Sequence, residues 1–417
     1  MKPLFGPLTI HFLLIFVTAS HAGDFALRDG DTVVFLGDSI TAARTYGKTI
    51  ENYTLLRYPG RKVRFINSGW GGDTAAGGAK RLDRDVFAYE ATVLIVAYGV
   101  NDIGWGVRAD AEHEKIYLDA IDAIIQRCRE KKVRLFLCSA AITAEDPDKA
   151  ENGFLQQMCD KGLVKAKAAG MGAIDLQREM RRVQRKVLAW NKAMKDGKNK
   201  ESLHVADGVH LNDLGQLAMA WAILKGLGAP AEVSSVAIDA GSGKVAPEGC
   251  KVTQVEASPD CVTFTRLDNG LPLNQGIFFA LNYRFVPIFD ELNRYMLKVN
   301  GLADGQYDVV ADRRNLGSWS AKQLAAGINV CSATADGWQP GGPWNVQANI
   351  LREFTEARNQ LSLGMLLSKT YQDAAEVAEI SKRAREINDR LEQLQREAAK
   401  PKPYRFEIRK AVAKKSG

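Results

Sequence analysis

The chain has 417 residues, 46% hydrophobic and 25% charged, with a formal net charge of +7 and a pI near 8.9. These values exclude a disordered chain, and the length exceeds one ordinary core, so two domains are expected. Basic and acidic residues are interspersed, which reads as a mildly basic globular protein and not a nucleic-acid binder; an anionic substrate or surface is compatible with the charge.

The chain opens on a targeting segment. Lys2 gives a positive start, residues 8–17 are nearly all apolar, and Ser20-His21-Ala22 offers the small residues a signal peptidase needs. An apolar run of about ten residues is too short to span about 30 Å of hydrocarbon. A signal peptide over 1–22 is therefore expected in preference to a retained anchor, with the mature protein exported to the periplasm or the medium from Gly23 onward. No later segment reaches 18 uninterrupted apolar residues, so no integral membrane segment is expected after cleavage.

From residue 31 to about 227, short β-like runs alternate with helical stretches. Residues 32–36 (TVVFL) are β-branched and apolar, as a parallel strand buried on both faces requires. Residues 63–66, 92–97, 133–137 and 173–176 are further strands, and 109–131 is the clearest helix, with Ile116, Leu118, Ile121, Ile124 and Ile125 as its apolar positions. A last helix over 211–227 has Asn212 as its cap. Such alternation predicts a parallel sheet with helices on both faces.

Residues 229–231 (Ala-Pro-Ala) read as a linker. Beyond it, turn signals such as Asp268-Asn269-Gly270 and Asp304-Gly305 separate alternating runs, and 295–299 with 307–310 are expected to pair as a hairpin. Helices follow over 344–367 and 373–399; the second carries apolar residues stepping by three and four between 377 and 394, among them Ile380 and Ile387. Under three heptads, that stripe suits a helical hairpin packed on its own domain better than a dimerisation coil. Tyr404, Phe406 and Ile408 alternate as one more strand. The domain reading is thus a signal peptide over 1–22, a catalytic domain over 23–228, and a β-rich accessory domain over 229–417 carrying the helical hairpin at about 344–399. About 200 residues can bury an adequate core, so residues 23–230 are expected to fold and act by themselves.

Six cysteines, Cys128, Cys138, Cys159, Cys250, Cys261 and Cys331, are too few for a disulfide scaffold and lack zinc-site spacing. Cys250 and Cys261 flank a short β-like stretch and either pair or remain thiols. The remaining carboxylates show no metal-ligand spacing, and no cofactor or metal is expected.

Gly37-Asp38-Ser39-Ile40-Thr41 directly follows the first strand. A serine there sits at the sheet edge where α/β proteins bind ligands; as a lone tripeptide the segment equally suits a helix cap. A serine nucleophile needs a base. His11 and His21 leave with the signal, which leaves His113, His204 and His210. His113 lies among charged residues at a helix start. His210 ends Asp207-Gly208-Val209-His210, where a carboxylate three residues upstream can orient the imidazole; His204 is the second choice. Two turns after strands suit oxyanion stabilisation: Asn67-Ser68-Gly69-Trp70-Gly71-Gly72-Asp73-Thr74, with free N–H groups, and Gly99-Val100-Asn101-Asp102, with an amide side chain.

With GDSIT, GGDT, GVND and DGVH in that order, residues 30–228 resemble the SGNH hydrolases, a branch of the GDSL esterases and lipases. The resemblance implies a flavodoxin-like three-layer α/β/α fold with a parallel sheet. It also implies a serine esterase, exported if the targeting segment is cleaved, with Ser39, Asp207 and His210 as triad, and the Ser39 N–H, the Gly72 N–H and the Asn101 side chain as oxyanion hole. Gly72 is preferred because it precedes Asp-Thr, with Gly71 as the alternative. The region after residue 229 is similar in texture to the C-terminal part of some bacterial multidomain SGNH proteins.

Trp70, Tyr98 and Trp105 lie on or beside the catalytic loops, where aromatic platforms would hold sugar rings. Together with export, this favours a carbohydrate ester, such as an acetylated polysaccharide, over a lipid or phospholipid ester. The alternative from another class is a non-catalytic glycan-binding protein on a hydrolase fold.

Overall fold

The computed structural model describes residues 25–194, 200–276, 281–339, 341–371 and 374–411. The expected signal peptide over 1–22 lies outside the described residues.

The N-terminal unit runs β1 (Thr32–Gly37), α1 (Ser39–Ala42), α2 (Thr45–Arg57), β2 (Arg64–Gly69), α3 (Ala75–Lys80), α4 (Leu82–Asp85), β3 (Val93–Ala97), α5 (Ala111–Lys131), β4 (Arg134–Cys138), α6 (Pro147–Ala150), α7 (Phe154–Ala168), β5 (Gly172–Ile174), α8 (Leu176–Ala193) and α9 (Asp213–Gly226). The sheet is parallel, in the order β2-β1-β3-β4-β5. Every residue of β1 and β3 is buried, because helices cover both faces of the central strands. The last strand stops short of its apolar run, since the Asp175 side chain accepts the Arg178 N–H and starts α8. On α5 the buried stripe is Tyr117, Ala120, Ile121, Ile124, Ile125 and Cys128; Ile116 faces solvent.

The rest of the chain runs β6 (Glu232–Asp239), β7 (Val245–Glu248), β8 (Cys250–Ser258), β9 (Cys261–Asp268), α10 (Ile288–Glu291), β10 (Arg294–Asn300), β11 (Gln306–Ala311), β12 (Arg314–Ser320), α11 (Ala321–Ala326), β13 (Ile328–Asn329), α12 (Pro343–Tyr371), α13 (Ala374–Ala399) and β14 (Tyr404–Lys410). Two sheets form, in the orders β13-β10-β6-β7 and β12-β11-β14-β9-β8. Tyr404, Phe406 and Ile408 of β14 are buried, and β14 inserts between β11 and β9.

Two expectations change here, and one open alternative is decided. The runs read as one hairpin, β10 and β11, belong to different sheets: β10 pairs with β6 in parallel, and β11 pairs with β12 and β14. Alternation specifies which face of a strand is buried but not its partner. Cys250 and Cys261 stand at opposite ends of the β8–β9 ladder, opposite Asp268 and Ser258 respectively, and all six cysteines are free. On α13, Ile380 and Ile387 are each 53% exposed, while Ser381, Ala384, Glu392 and Gln395 face inward. Of the apolar stripe, Ala384 is thus buried and Leu391 and Leu394 are half-buried, while Ile380 and Ile387 stay outside.

That inward face packs on the N-terminal unit. Eleven of the thirteen residues of α2 are buried, among them Glu51, Asn52 and Arg57. The Glu51 carboxylate accepts from Arg358 (2.5 and 3.1 Å) and from Gln395 Nε2 (2.7 Å), and Thr355 donates to Asn52 Oδ1 (2.6 Å). Arg57 donates to the Glu232 and Leu292 carbonyls, and the Leu271 N–H donates to the Leu56 carbonyl (2.8 Å). One continuous apolar core runs from Phe25 and Phe35 through Trp221 to Phe264, Trp344 and Phe406. A helix from the first unit is thus the shared wall of the second.

Candidate active site

Ser39 is the first residue of α1, at the C-terminal end of the interior strand β1. The Asp38 side chain caps that helix by accepting the Ile40 N–H (2.9 Å). The first-turn N–H groups of a helix have no intrahelical acceptor, so the Ser39 N–H is left available to a ligand at the end of β1.

The DGVH segment forms the tip of a small loop closed by the Val205 N–H to His210 carbonyl bond (2.9 Å). Gly208 takes φ +71, a left-handed turn that favours glycine. Asp207 Oδ1 accepts the N–H groups of Val209 and His210, each at 2.9 Å, leaving Oδ2 at 2.6 Å from His210 Nδ1. These bonds, the Val209 N–H first, hold the Asp207 carboxyl down at about 2. His210 Nε2 lies 2.8 Å from Ser39 Oγ. Gln216, one turn into α9, locks the two halves together: its amide accepts the Tyr46 N–H (3.1 Å) and donates to the Ile40 carbonyl (3.3 Å).

The other two histidines lie elsewhere. His204 is buried at the base of the same loop with Nε2 3.0 Å from the Ile142 carbonyl, and burial lowers its pKa. His113 pairs with Asp110 at the start of α5 (2.8 Å). Neither meets Ser39.

Gly72 has φ +72, and a Cβ on Gly71 or Gly72 would meet open space. Neither N–H is bonded to protein among the described residues, so the geometry leaves both as candidate donors. Asn101 is held by both ends of its amide: Nδ2 donates to the Asp73 carbonyl (2.9 Å), and Oδ1 accepts from Trp105 Nε1 (2.8 Å). One amide N–H of Asn101 remains for a ligand. Trp105 is 51% exposed, holds φ +59 and meets the His210 ring edge-to-face at 5.6 Å. A non-glycine residue kept in that region beside a site stores strain.

Tyr98 corrects the sequence reading. It is only 1% exposed, and its hydroxyl donates to Asp73 Oδ2 (2.7 Å), so it presents no face to a substrate. Trp70, half-buried, stays on the glycine turn through its N–H to the Gly37 carbonyl (3.0 Å). Among the described residues, no group of three or more His, Cys, Asp or Glu side chains is placed to hold a metal ion, and no helix is long and apolar enough to cross a membrane.

This architecture has relatives. Residues 35–218 match the family model of the GDSL-like lipase/acylhydrolase family. Residues 35–218 thus form a domain of the GDSL-like lipase/acylhydrolase family. It is accordingly an ester-hydrolysing serine hydrolase. A gut microbial diltiazem-metabolizing enzyme shares the fold over nearly the whole chain, with TM-score 0.77 and 23% identity over 92% of this chain and 98% of that one. The likeness therefore extends past residue 230 into the β-rich region. An acetylxylan esterase from Geobacillus stearothermophilus aligns over 49% of this chain and 96% of its own (19% identity, TM-score 0.40). An alpha/beta hydrolase enzyme from the metagenome of Lake Arreo, Spain, aligns over 49% and 98% (20% identity, TM-score 0.39). No curated protein matches this GDSL-like chain.

Two buried acids stand behind the site. Burial pushes the Asp38 carboxyl up to about 6, against the Ile40 N–H, and the Asp102 carboxyl up to about 7, against the Ala75 N–H. Asp102 Oδ1 accepts that N–H at 2.9 Å while Oδ2 is buried without a partner. A carboxyl raised above its unfolded value favours folding below the unfolded pKa and loses that contribution as pH rises through the folded one. Asp102→Asn keeps the shape without the charge. Its melting temperature relative to wild type is expected to rise from pH 5 to pH 9; a difference that does not move with pH would show that burial does not penalise the ionised Asp102.

Proposed function

We propose that Ser39, His210 and Asp207 act as the catalytic triad of an exported esterase that removes small acyl groups, acetyl above all, from a carbohydrate. The observation that carries the triad is the unbroken chain of contacts from Ser39 Oγ to His210 Nε2 (2.8 Å) and from His210 Nδ1 to Asp207 Oδ2 (2.6 Å). In the first step His210 Nε2 takes the Ser39 proton as Oγ bonds to the ester carbonyl carbon. The oxyanion receives the Ser39 N–H, the Gly72 N–H and the free N–H of Asn101. The C–O bond then breaks, and His210 returns the proton to the leaving alcohol. Water, deprotonated by His210, repeats the attack on the acyl-enzyme and releases the acid. Asp207 keeps His210 in the tautomer with its proton on Nδ1.

Trp105 supports the carbohydrate reading. Its half-exposed ring stands beside His210 and Asn101, suited to stacking on a sugar, and the neighbouring exposed apolar side chain on that loop is the single Val107. A long acyl chain would call for a broader apolar face. Export rests on the signal-like segment over residues 1–22, with its positive start, short apolar run and small residues before Gly23.

The test compares purified protein on p-nitrophenyl esters of rising chain length and on acetylated xylooligosaccharides. Turnover is expected to fall steeply beyond butyrate, and acetate release from the oligosaccharide to have the higher kcat/KM. Preference for long acyl chains would overturn the substrate reading. Protein recovered from the periplasm or medium is expected to begin at Gly23 by intact mass.

A further inference from the structure

Behind the glycine turn, one side chain contacts all three segments proposed to supply the oxyanion donors. Arg81 follows α3, and its side chain is largely enclosed, at 11% exposure. Its five N–H groups meet five acceptors. Nε donates to Asp73 Oδ2 (2.8 Å), Nη1 to the Ser68 carbonyl (2.7 Å) and Asp85 Oδ2 (3.0 Å), and Nη2 to the Gly37 carbonyl (3.2 Å) and Tyr98 Oη (2.9 Å).

The places of those acceptors in the chain are what matter. Gly37 ends β1, two residues before the nucleophile. Ser68 and Asp73 bracket the turn that carries Gly71 and Gly72. Tyr98 ends the run from β3, three residues before Asn101. Asp73 passes the contact on, because its backbone carbonyl accepts from Asn101 Nδ2 (2.9 Å) and its carboxylate accepts from Tyr98 (2.7 Å). The approach is possible because α3 carries Gly78 over the phenol, where a Cβ would stand 2.5 Å from Tyr98 Oη.

We infer that Arg81 is a positioning residue for acyl transfer, setting the Ser39, Gly72 and Asn101 donors in register through the Gly37 carbonyl, the Ser68 carbonyl and Asp73. The inference rests on the triad and oxyanion roles proposed above. A planar fork with five fixed donors is required for this; a lysine carries the charge but only three donors on one nitrogen. Donors aimed at a developing oxyanion act on the transition state far more than on the bound ester, so misplacing them lowers kcat and spares KM.

The experiment uses the full chain as wild type, Arg81→Lys, Arg81→Ala and Tyr98→Phe, with p-nitrophenyl acetate as substrate. Each preparation is titrated with an organophosphonate, so that kcat is expressed per labelled serine. Expected are losses in kcat per site of about 10–100-fold for Arg81→Lys and about 10²–10³-fold for Arg81→Ala, the scale of a lost oxyanion donor. Tyr98→Phe, which removes one hydroxyl and no charge, is expected to lose several-fold and keeps the test open if an Arg81 variant fails to fold. KM is expected to stay within about twofold, and the affinity for phenylboronic acid, which forms a tetrahedral adduct with the serine, to fall in step with kcat. If kcat per labelled serine and boronate affinity match wild type in every soluble variant, Arg81 serves only the fold and the inference is overturned. Wild type that neither turns over ester nor takes label on Ser39 would instead overturn the triad on which it rests.

Discussion

Ser39→Ala is expected to lower kcat for p-nitrophenyl acetate by about 10⁴–10⁶-fold, the range for losing the nucleophile of a triad. The protein should stay folded, because Ser39 is half-buried at a helix start and its hydroxyl meets His210 and no core group. His210→Ala should fall to a similar floor, and the double variant no further, since the two residues perform one proton transfer. Asp207→Asn is expected to lose up to about 10⁴-fold, because an amide can present its N–H to Nδ1 and select the wrong tautomer. With its carboxyl held at about 2, Asp207 stays ionised across ordinary assay pH, so it does not shape the acid side of the rate profile. An organophosphonate is expected to label Ser39 alone, read by peptide mass spectrometry. Label on a different serine, with Ser39→Ala still active, would sink the assignment.

The second large effect concerns the C-terminal helical hairpin. Read from length alone, residues 23–230 are enough for a domain, but the structure makes α2 an internal helix. Cutting after Pro230 removes Arg358, Gln395 and Thr355 from Glu51 and Asn52, and the Glu232 and Leu292 carbonyls from Arg57. The 23–230 fragment is therefore expected to be insoluble or unfolded by circular dichroism. In the full chain, Arg358→Ala leaves Glu51 buried without its cation. Both side chains are at most 4% exposed, so this is expected to cost about 3–5 kcal/mol, the scale for breaking a buried pair from one side. Changing both residues, Glu51→Leu with Arg358→Met, should recover most of that loss, read as melting temperature. A soluble 23–230 fragment with full turnover on p-nitrophenyl acetate would show that α2 tolerates water on its outer face.

The link between the hairpin and catalysis would run through Arg44. It is buried between α1 and α2, holds φ +66 and donates to Asn359 Oδ1 (3.4 Å) on α12. The turn that follows the nucleophile helix is thus anchored by the second half of the chain.

What could be read from the sequence was what local interactions decide. TVVFL and VLIVA are strands buried on both faces because no register of those residues offers a polar side to water. The Asp207–His210 contact is equally local: a glycine turn three residues long brings carboxylate and imidazole together whatever lies around it. The order of GDSIT, GGDT, GVND and DGVH then places four segments at one edge of a parallel sheet. Pairings between distant segments were not legible. Glu51 and Arg358 lie 307 residues apart, and nothing in TYGKTIENYTLLR tells a helix wetted on one side from one enclosed by two units. Tyr98 and Trp105 look alike as aromatics on catalytic loops. One sits under α3 because Gly78 leaves room and Arg81 and Asp73 satisfy its hydroxyl, and the other is turned outward by a left-handed backbone. Alternation and turn residues act over a few positions, whereas the burial of a charge is settled by which partner the rest of the chain brings to it.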